Sequence, residues 1–370
     1  MDVDSIQKQI KEIEDEIFNT QKNKATEHHI GKLKAKIAKL KALEEKRKSA
    51  GGTGKGFSVK KSGDATVGLI GFPSIGKSTL LNQLTEADSE VGHYEFTTLD
   101  VIPGMLKYKG ANIQILDLPG LITGASKGKG RGREILSSVR NVDLILLIID
   151  AKHVHHLDLM TAELHHAGIR LNQRPPDVII TPTKQGGINI QSTVKLTQIS
   201  QKTIRSIAAE YVTNADIIIR DNITEDQLID VFVQNRTYLP AVVILNKIDL
   251  LSKDKIQEQI KKIRKQGWGV DAISAKKGEG LTELKNLIFS QLQLIRIYMK
   301  PQGKKPDYSE PMILTQGDTV ETVCKTIHRD FKKRFRYALV WGTSGKYPGQ
   351  KVGLDHTLHD KDVLTVIITH

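Results

Sequence analysis

Val67-Gly68-Leu69-Ile70-Gly71-Phe72-Pro73-Ser74-Ile75-Gly76-Lys77-Ser78-Thr79 is the stretch on which the fold turns. A short apolar run ends at a glycine, a second glycine stands five positions on before Lys77 and Ser78, and the helix-forming run Thr79 to Leu84 follows. Strand, glycine-bounded loop and helix in that order match the phosphate-binding loop G-x-x-x-x-G-K-[ST] in the context that gives it meaning. Glycines allow backbone N–H groups to close around phosphate oxygens, Lys77 brings a point charge to the β and γ phosphates, and Ser78 offers a hydroxyl to Mg²⁺. The candidate phosphate-binding residues are therefore Gly71, Phe72, Pro73, Ser74, Ile75, Gly76, Lys77, Ser78 and Thr79.

Working outward, Ile113 to Leu116, Leu144 to Ile149 and Val242 to Leu245 join Val67 to Ile70 as short continuous apolar runs, the pattern of parallel strands buried on both faces. An α/β core follows. Asp117-Leu118-Pro119-Gly120 ends the second of these runs as a D-x-x-G element, in which Asp117 can hold Mg²⁺ through water and the Gly120 N–H can sense a γ-phosphate. Thr97 and Thr98 lie between the phosphate loop and that strand, and Thr98 is the favoured switch threonine on the metal. Asn246-Lys247-Ile248-Asp249 follows Val242 to Leu245. A carboxylate at Asp249 can accept from the N1–H and N2–H₂ of guanine, donors that adenine does not pair on that edge, so the element predicts GTP over ATP. Ser274-Ala275-Lys276 sits after Val270 to Ile273, where a backbone N–H can reach the guanine O6.

The flanks differ from the centre in charge and pattern. Of a net charge of +13, residues 1 to 61 carry +6 and residues 296 to 370 carry +5, so both ends suit a polyanion such as RNA. Ile6, Ile10, Ile13 and Ile17, then Ile30, Leu33, Ile37 and Leu40, recur at helical spacing and predict an antiparallel hairpin over residues 1–50, with Lys32, Lys34, Lys36, Lys39 and Lys41 on its second helix. Those lysines fit either a solvated face or phosphate contacts. A glycine-rich linker (51–65) leads into the core. Too many residues separate Asp150 from Pro240 for one crossover, so 171–236 reads as a small inserted α+β subdomain with a helix from Ser192 to Tyr211. Residues 296–370 predict a β-grasp module: strands at Ile297 to Met299 and Met312 to Leu314, a helix from Thr319 to Phe331, and strands at Tyr337 to Trp341 and Val363 to Ile368. No apolar run approaches the roughly 20 residues of a bilayer span, the only cysteine is Cys324, and the start lacks a secretory pattern. A cytoplasmic address is the expectation.

Taken together, the phosphate loop, Phe96-Thr97-Thr98-Leu99, Asp117 to Gly120, Asn246 to Asp249, the insertion before that last element and the terminal module resemble the developmentally regulated GTP-binding proteins, of the Obg-like GTPases. The resemblance covers essentially the whole chain. It implies a P-loop GTPase G domain over 66–170 and 237–295, an inserted subdomain of the ribosomal S5 domain-2-like type over 171–236, and a C-terminal TGS domain over 296–370. It implies GTP hydrolysis to GDP with Mg²⁺, a ribosome-associated role in translation, and a zinc-finger regulatory partner, with no DNA specificity and no membrane. Lys77, Thr98 and Gly120 would then serve catalysis; Ser78, Thr98 and Asp117 the metal; and Asp117, Gly120, Asn246, Lys247, Asp249, Ser274 and Ala275, with the phosphate loop, the nucleotide. Alternatives with the same motifs are a ribosome-assembly GTPase, or a nucleotide-stabilised scaffold with incidental turnover.

One departure bears on rate. Leu121 follows the D-x-x-G element where many GTPases have a water-orienting glutamine, and an isobutyl group cannot orient water. Slow intrinsic hydrolysis is expected, helped by a monovalent cation or a partner. The resemblance suggests K⁺, yet Ser74 stands where potassium-activated relatives often have asparagine. Gly120, Gly124, Gly128, Gly130 and Gly132, among Lys127, Lys129, Arg131 and Arg133, form a second switch that γ-phosphate contact can order. His153, His155, His156, His165 and His166 have no accompanying cysteine and no H-E-x-x-H spacing, so they predict no zinc site.

Overall fold

The computed structural model describes residues 3–21, 23–50, 62–85, 102–118 and 139–369. In chain order, α1 (Val3–Asn19) and α2 (Glu27–Ala50) precede β1 (Ala65–Ile70), α3 (Lys77–Thr85), β2 (Ile102–Tyr108), β3 (Ala111–Asp117), β4 (Leu144–Asp150) and α4 (His156–His166). Then come β5 (Ile169–Leu171), β6 (Val178–Pro182), β7 (Ile188–Ser192), α5 (Gln201–Ala208), β8 (Ala215–Ile219), α6 (Glu225–Val233) and β9 (Thr237–Leu239). The remainder holds β10 (Ala241–Asn246), α7 (Lys253–Lys265), β11 (Val270–Ala272), α8 (Leu281–Gln291), β12 (Leu294–Met299), β13 (Met312–Thr315), α9 (Val320–Ile327), α10 (Phe331–Arg334), β14 (Phe335–Trp341), β15 (Gln350–Val352) and β16 (Val363–Ile368). Among these residues no helix is long and apolar enough to cross a membrane.

The chain divides into two compact units, Phe57–Ala167 with Leu239–His370, and Met1–Gly56 with Gly168–Tyr238. In the first, six strands form one sheet in the order β11-β10-β4-β1-β3-β2. All neighbours run parallel except β2, which is antiparallel to β3. Every residue of β1, β4 and β10 is buried, which is why those segments read as unbroken apolar runs rather than alternating ones. Leu80 and Leu84 of α3 and Leu284 and Ile288 of α8 share a core with Leu69, Ile115, Leu146 and Ile244 of the sheet. With β3 on one side of β1 and β4 on the other, the connections diverge at β1, and the carboxyl ends of the strands there border a crevice.

The same unit carries a second sheet, β13-β12-β16-β14-β15. Ile297, Leu314, Val340 and Leu364 from one face of it pack with Val320, Val323 and Cys324 of α9. This is the expected β-grasp arrangement, with differences in detail, among them the added strand β15 (Gln350–Val352). The first strand begins at Leu294, three residues early. The helix expected from Thr319 to Phe331 is broken at His328, which is extended (φ −163°, ψ 143°), and resumes as the single turn of α10.

In the other unit, α1 and α2 pair as a hairpin through Ile6, Ile10, Ile13, Leu33 and Leu40. Beside it, β6, β8 and β7 form a three-stranded mixed sheet. Ile204 and Ile207 of α5 and Leu228 of α6 cover Ile217 and Ile219, and Ala35 of α2 enters that same core. Gly31 permits the approach: a Cβ there would lie 2.9 Å from Thr203 Cγ2. The hairpin is further tied down by the Tyr211 hydroxyl, which donates to the Ala35 carbonyl at 2.9 Å, and by Lys34, within 3.3 Å of Glu225 and 3.4 Å of Asp226. The helix expected over Ser192–Tyr211 is confined to Gln201–Ala208. Ser200 is its N-cap and accepts from the Thr203 N–H, while Ser192 belongs to β7. A cap of this kind is worth about 1 kcal/mol and sets the start that β-branched Thr193, Val194 and Thr197 do not favour.

Candidate functional site

Five strand ends converge on the crevice: Ile70 leads into the phosphate loop, Asp117 ends β3, Asp150 ends β4, Asn246 ends β10, and Ser274 lies just past β11. The loop itself turns at Ser74 (φ 60°) and Gly76 (φ 93°), both in the left-handed region. Gly76 must be a glycine on space as well as angle, because a Cβ would stand 2.7 Å from Asn246 Nδ2. Lys77 and Ser78 open α3, directly after this turn. The Lys77 ammonium donates to the carbonyls of Gly71 and Phe72, each at 3.0 Å, and so lies folded over the loop. Burial pushes its pKa below the ordinary lysine value, against the opposing pull of the Asp117 carboxylate.

Ser78 Oγ donates to Asp117 Oδ2 at 3.0 Å. Asp117 is 6% exposed, and its Oδ1 is buried with no hydrogen-bond partner among the described residues. A buried carboxylate oxygen left open is costly unless something else binds it. The set at this point is all oxygen, one hydroxyl beside one carboxylate, which is the donor type that Mg²⁺ prefers. The residues therefore fit such an ion, with Ser78 and Asp117 as those that would hold it; once bound it would offset phosphate charge.

Asn246 is 1% exposed and is engaged on both ends of its amide. Its Nδ2 donates to the Ile75 carbonyl at 2.8 Å, and its Oδ1 accepts from the N–H groups of Lys247 (2.8 Å) and Ala275 (3.0 Å). One side chain thus clasps the phosphate loop, the end of β10 and the turn after β11. Lys247, in the left-handed region (φ 64°), reaches back over the loop to the Ser74 carbonyl and to Asp150 Oδ2, both at 2.9 Å. No motif marks Asp150, although an acid closing a buried apolar strand is a visible signal. Burial raises its pKa, but the Lys152 N–H and the Lys247 ammonium outweigh this and leave it below the usual carboxylate value.

Asp249 Oδ1 accepts from Ser274 Oγ at 2.7 Å. That hydroxyl, with Lys277 and Lys276 nearby, holds the carboxyl below its ordinary pKa, so it is an ionised acceptor at neutral pH. On the loop side, Phe72 packs on His156 with ring centroids 4.3 Å apart, and His153 stacks on His156 at 5.4 Å. Among the described residues no group of three or more His, Cys, Asp or Glu could hold a metal. The structure thus brings together Gly71 to Thr79, Asp117, Asn246, Lys247, Asp249, Ser274 and Ala275. Thr97, Thr98, Gly120, Leu121 and the second switch lie outside the described residues.

Matches to known families cover the same ground. Residues 66–182 match the model described as 50S ribosome-binding GTPase, residues 185–294 match the C-terminal region of that domain, and residues 295–368 match the TGS domain. The chain is 54% identical over 368 residues to the GTP-binding protein MJ1326 of Methanocaldococcus jannaschii, covering 99% of this chain and 94% of that one. It is 47% identical over 365 residues to the developmentally-regulated GTP-binding protein 2 of Homo sapiens, covering 98% and 99%. Among solved structures, that of the Schizosaccharomyces pombe YchF GTPase is similar at 14% identity, covering 83% of this chain and 99% of that one with a TM-score of 0.46. Near-full-length identity of this order, over a phosphate loop, a guanine-type element and a terminal TGS module, places the chain in the family of developmentally regulated GTP-binding proteins.

Proposed function

We propose that the chain hydrolyses GTP to GDP and phosphate at the carboxyl ends of β1, β3, β10 and β11, slowly when alone, and that it acts as a cytoplasmic, ribosome-associated factor in translation. The G domain is assigned to 66–170 and 237–295, the insertion to 171–236 and the TGS domain to 296–370. The observation that carries the reading is Asp117 Oδ1, beside Ser78 and Lys77, a buried acceptor without a partner among the described residues that a phosphate-bound magnesium ion or its water would complete.

In this reading Lys77 leaves the Gly71 and Phe72 carbonyls for phosphate oxygens, where its charge is stabilising in the transition state as well as the ground state. Asp249 accepts from the guanine edge while Ser274 fixes its orientation, and Asn246 holds the loop in register with that edge. Thr98 closes on the magnesium ion, and the Gly120 N–H senses the γ-phosphate. The slow rate follows from Leu121, since no side chain at that place can orient the attacking water. Support for the ribosome comes from the family model's description and from the excess of basic residues at both ends of the chain.

Nucleotide-dependent ribosome pelleting tests the reading, with Lys77→Ala alongside the unaltered chain. Pelleting that depends on GTP in the unaltered chain and loses that dependence in Lys77→Ala is expected. Equal pelleting with GTP, with GDP and with neither would contradict it. Turnover is expected to be faster in potassium than in sodium, and equal rates would remove potassium from the account.

A further inference from the structure

The lysines of α2 from Lys32 to Lys41 do not share one fate. Lys34 is spent on Glu225 and Asp226, where the carboxylates of Asp226 and Glu225 outweigh burial and hold its ammonium above the ordinary value. Lys39 donates to the Glu210 carbonyl, and Lys41 lies 3.4 Å from Glu14 across the hairpin. These three are architectural. Lys36 is exposed and has no ion-pair partner among the described residues, while Lys32 approaches Glu210 only at 3.7 Å.

Lys32 borders a concave site of about 500 Å³ between α2 and α5. The opposite wall supplies Gln201, Lys202, Arg205 and Ser206. Lys202 and Arg205 are three residues apart and so share a helix face, and neither side chain has an ion-pair partner among the described residues. Gly31 lets α2 and α5 approach closely, and the hollow has cations from both elements around it.

We infer that this groove is a binding surface for the phosphodiester backbone of RNA, with Lys32, Lys202 and Arg205 as its phosphate contacts. The lining decides the class of partner. Protein interfaces are anchored by buried aromatic or aliphatic groups, and here the only apolar side chain is the methyl of Ala209. Three cations with an amide and a hydroxyl suit phosphate oxygens, which position a nucleic acid without reading its bases. Among the described residues Glu210 is the one carboxylate paired to these cations, and it sits beyond close hydrogen-bonding distance of Lys32. The surface goes beyond the GTP reading, as its residues belong to the unit of Met1–Gly56 with Gly168–Tyr238.

The test is binding of the full chain to a fluorescein-labelled RNA stem–loop across a salt series. Lys32→Ala/Lys202→Ala/Arg205→Ala is expected to weaken binding by about tenfold or more and to flatten the log K against log [salt] slope by about 2 to 3. A charge-matched control on α7, Lys253→Ala/Lys255→Ala/Lys261→Ala, is expected to keep the original slope. Should the triple variant unfold, Lys202→Glu and Arg205→Glu singly are each expected to weaken binding and to flatten the slope by about 1. Unchanged affinity, an equal loss in the α7 control, or displacement of the RNA by poly-glutamate at matched charge would overturn the inference. Loss of RNA binding in the variant, when even the unaltered chain fails to pellet with ribosomes, sustains this surface and removes only the ribosomal role.

Discussion

Two groups of buried polar side chains, one in each unit, are built to opposite rules. In the unit of Met1–Gly56 with Gly168–Tyr238, Arg170 Nε donates to Asp230 Oδ2 at 2.6 Å and its Nη2 donates to Oδ1 at 2.8 Å, while Arg236 Nε donates to Oδ1 at 2.7 Å. Arg170 belongs to β5 and Arg236 immediately precedes β9, where the Thr237 N–H also donates to the Gly168 carbonyl at 3.1 Å. Both oxygens of Asp230 are satisfied. At the crevice, by contrast, and among the described residues, Asp117 keeps a buried oxygen without a partner, and Lys77 donates only to carbonyls. Closed valences mark architecture, and open ones mark a place where something else completes the set. The same contrast separates Lys34 from Lys202 on a smaller scale.

Substitutions can break that contrast. The largest effect is expected at Asp230→Ala, which leaves two guanidinium groups facing each other in a buried place and should cost roughly 3–5 kcal/mol in denaturant unfolding. Asp117→Ala is expected to cost less than about 1 kcal/mol of stability, since its one hydrogen bond is to an exposed serine, while Mg²⁺-dependent nucleotide affinity collapses. An unfolding loss at Asp117 equal to that at Asp230 would erase the distinction. Next, Asp249→Asn replaces the paired acceptor with a mixed amide and should lower the preference for GTP over ATP by on the order of a hundredfold in competition titrations. Lys34→Ala should cost about 0.5–1 kcal/mol, since its ion pairs are partly exposed.

The smallest effect concerns pH. Glu321 accepts from Lys325 at 2.6 Å and Lys332 at 2.7 Å, and these bonds pull its pKa from 4.5 to about 2. A carboxyl whose pKa is lower folded than unfolded stabilises the fold above its unfolded value and gives this up as pH falls. The contribution is therefore present above pH 4.5 and fades toward about 2. A carbon-detected titration placing Glu321 at its ordinary value would show that the two lysines do not hold it.

How much of this is legible in the sequence depends on range. Gly71 to Ser78 was readable because its elements are contiguous: strand, turn and helix start follow within thirteen residues of one another from Val67 to Thr79. Asp117, Asn246 and Asp249 were readable because each ends or follows an apolar strand, and the ends of parallel strands share one edge. What could not be read was tertiary pairing. Nothing local distinguishes Lys34, which meets α6, from Lys36, two residues on. Asp150 could be seen at a strand end, but its link to Lys247 spans 97 residues. The short α5 and the break at His328 were hidden for a similar reason: apolar spacing continues through both places, and a serine cap or an extended residue decides where the helix stops.

Calorimetric titration of the unaltered chain with magnesium-bound GTP and, separately, magnesium-bound ATP bears most directly on the claim that the open crevice is a guanine-nucleotide site. GTP is expected to bind with an affinity at least about a hundredfold above that of ATP, the margin a paired-donor mismatch at Asp249 supplies. Equal affinities for the two, or heat from neither, would contradict it.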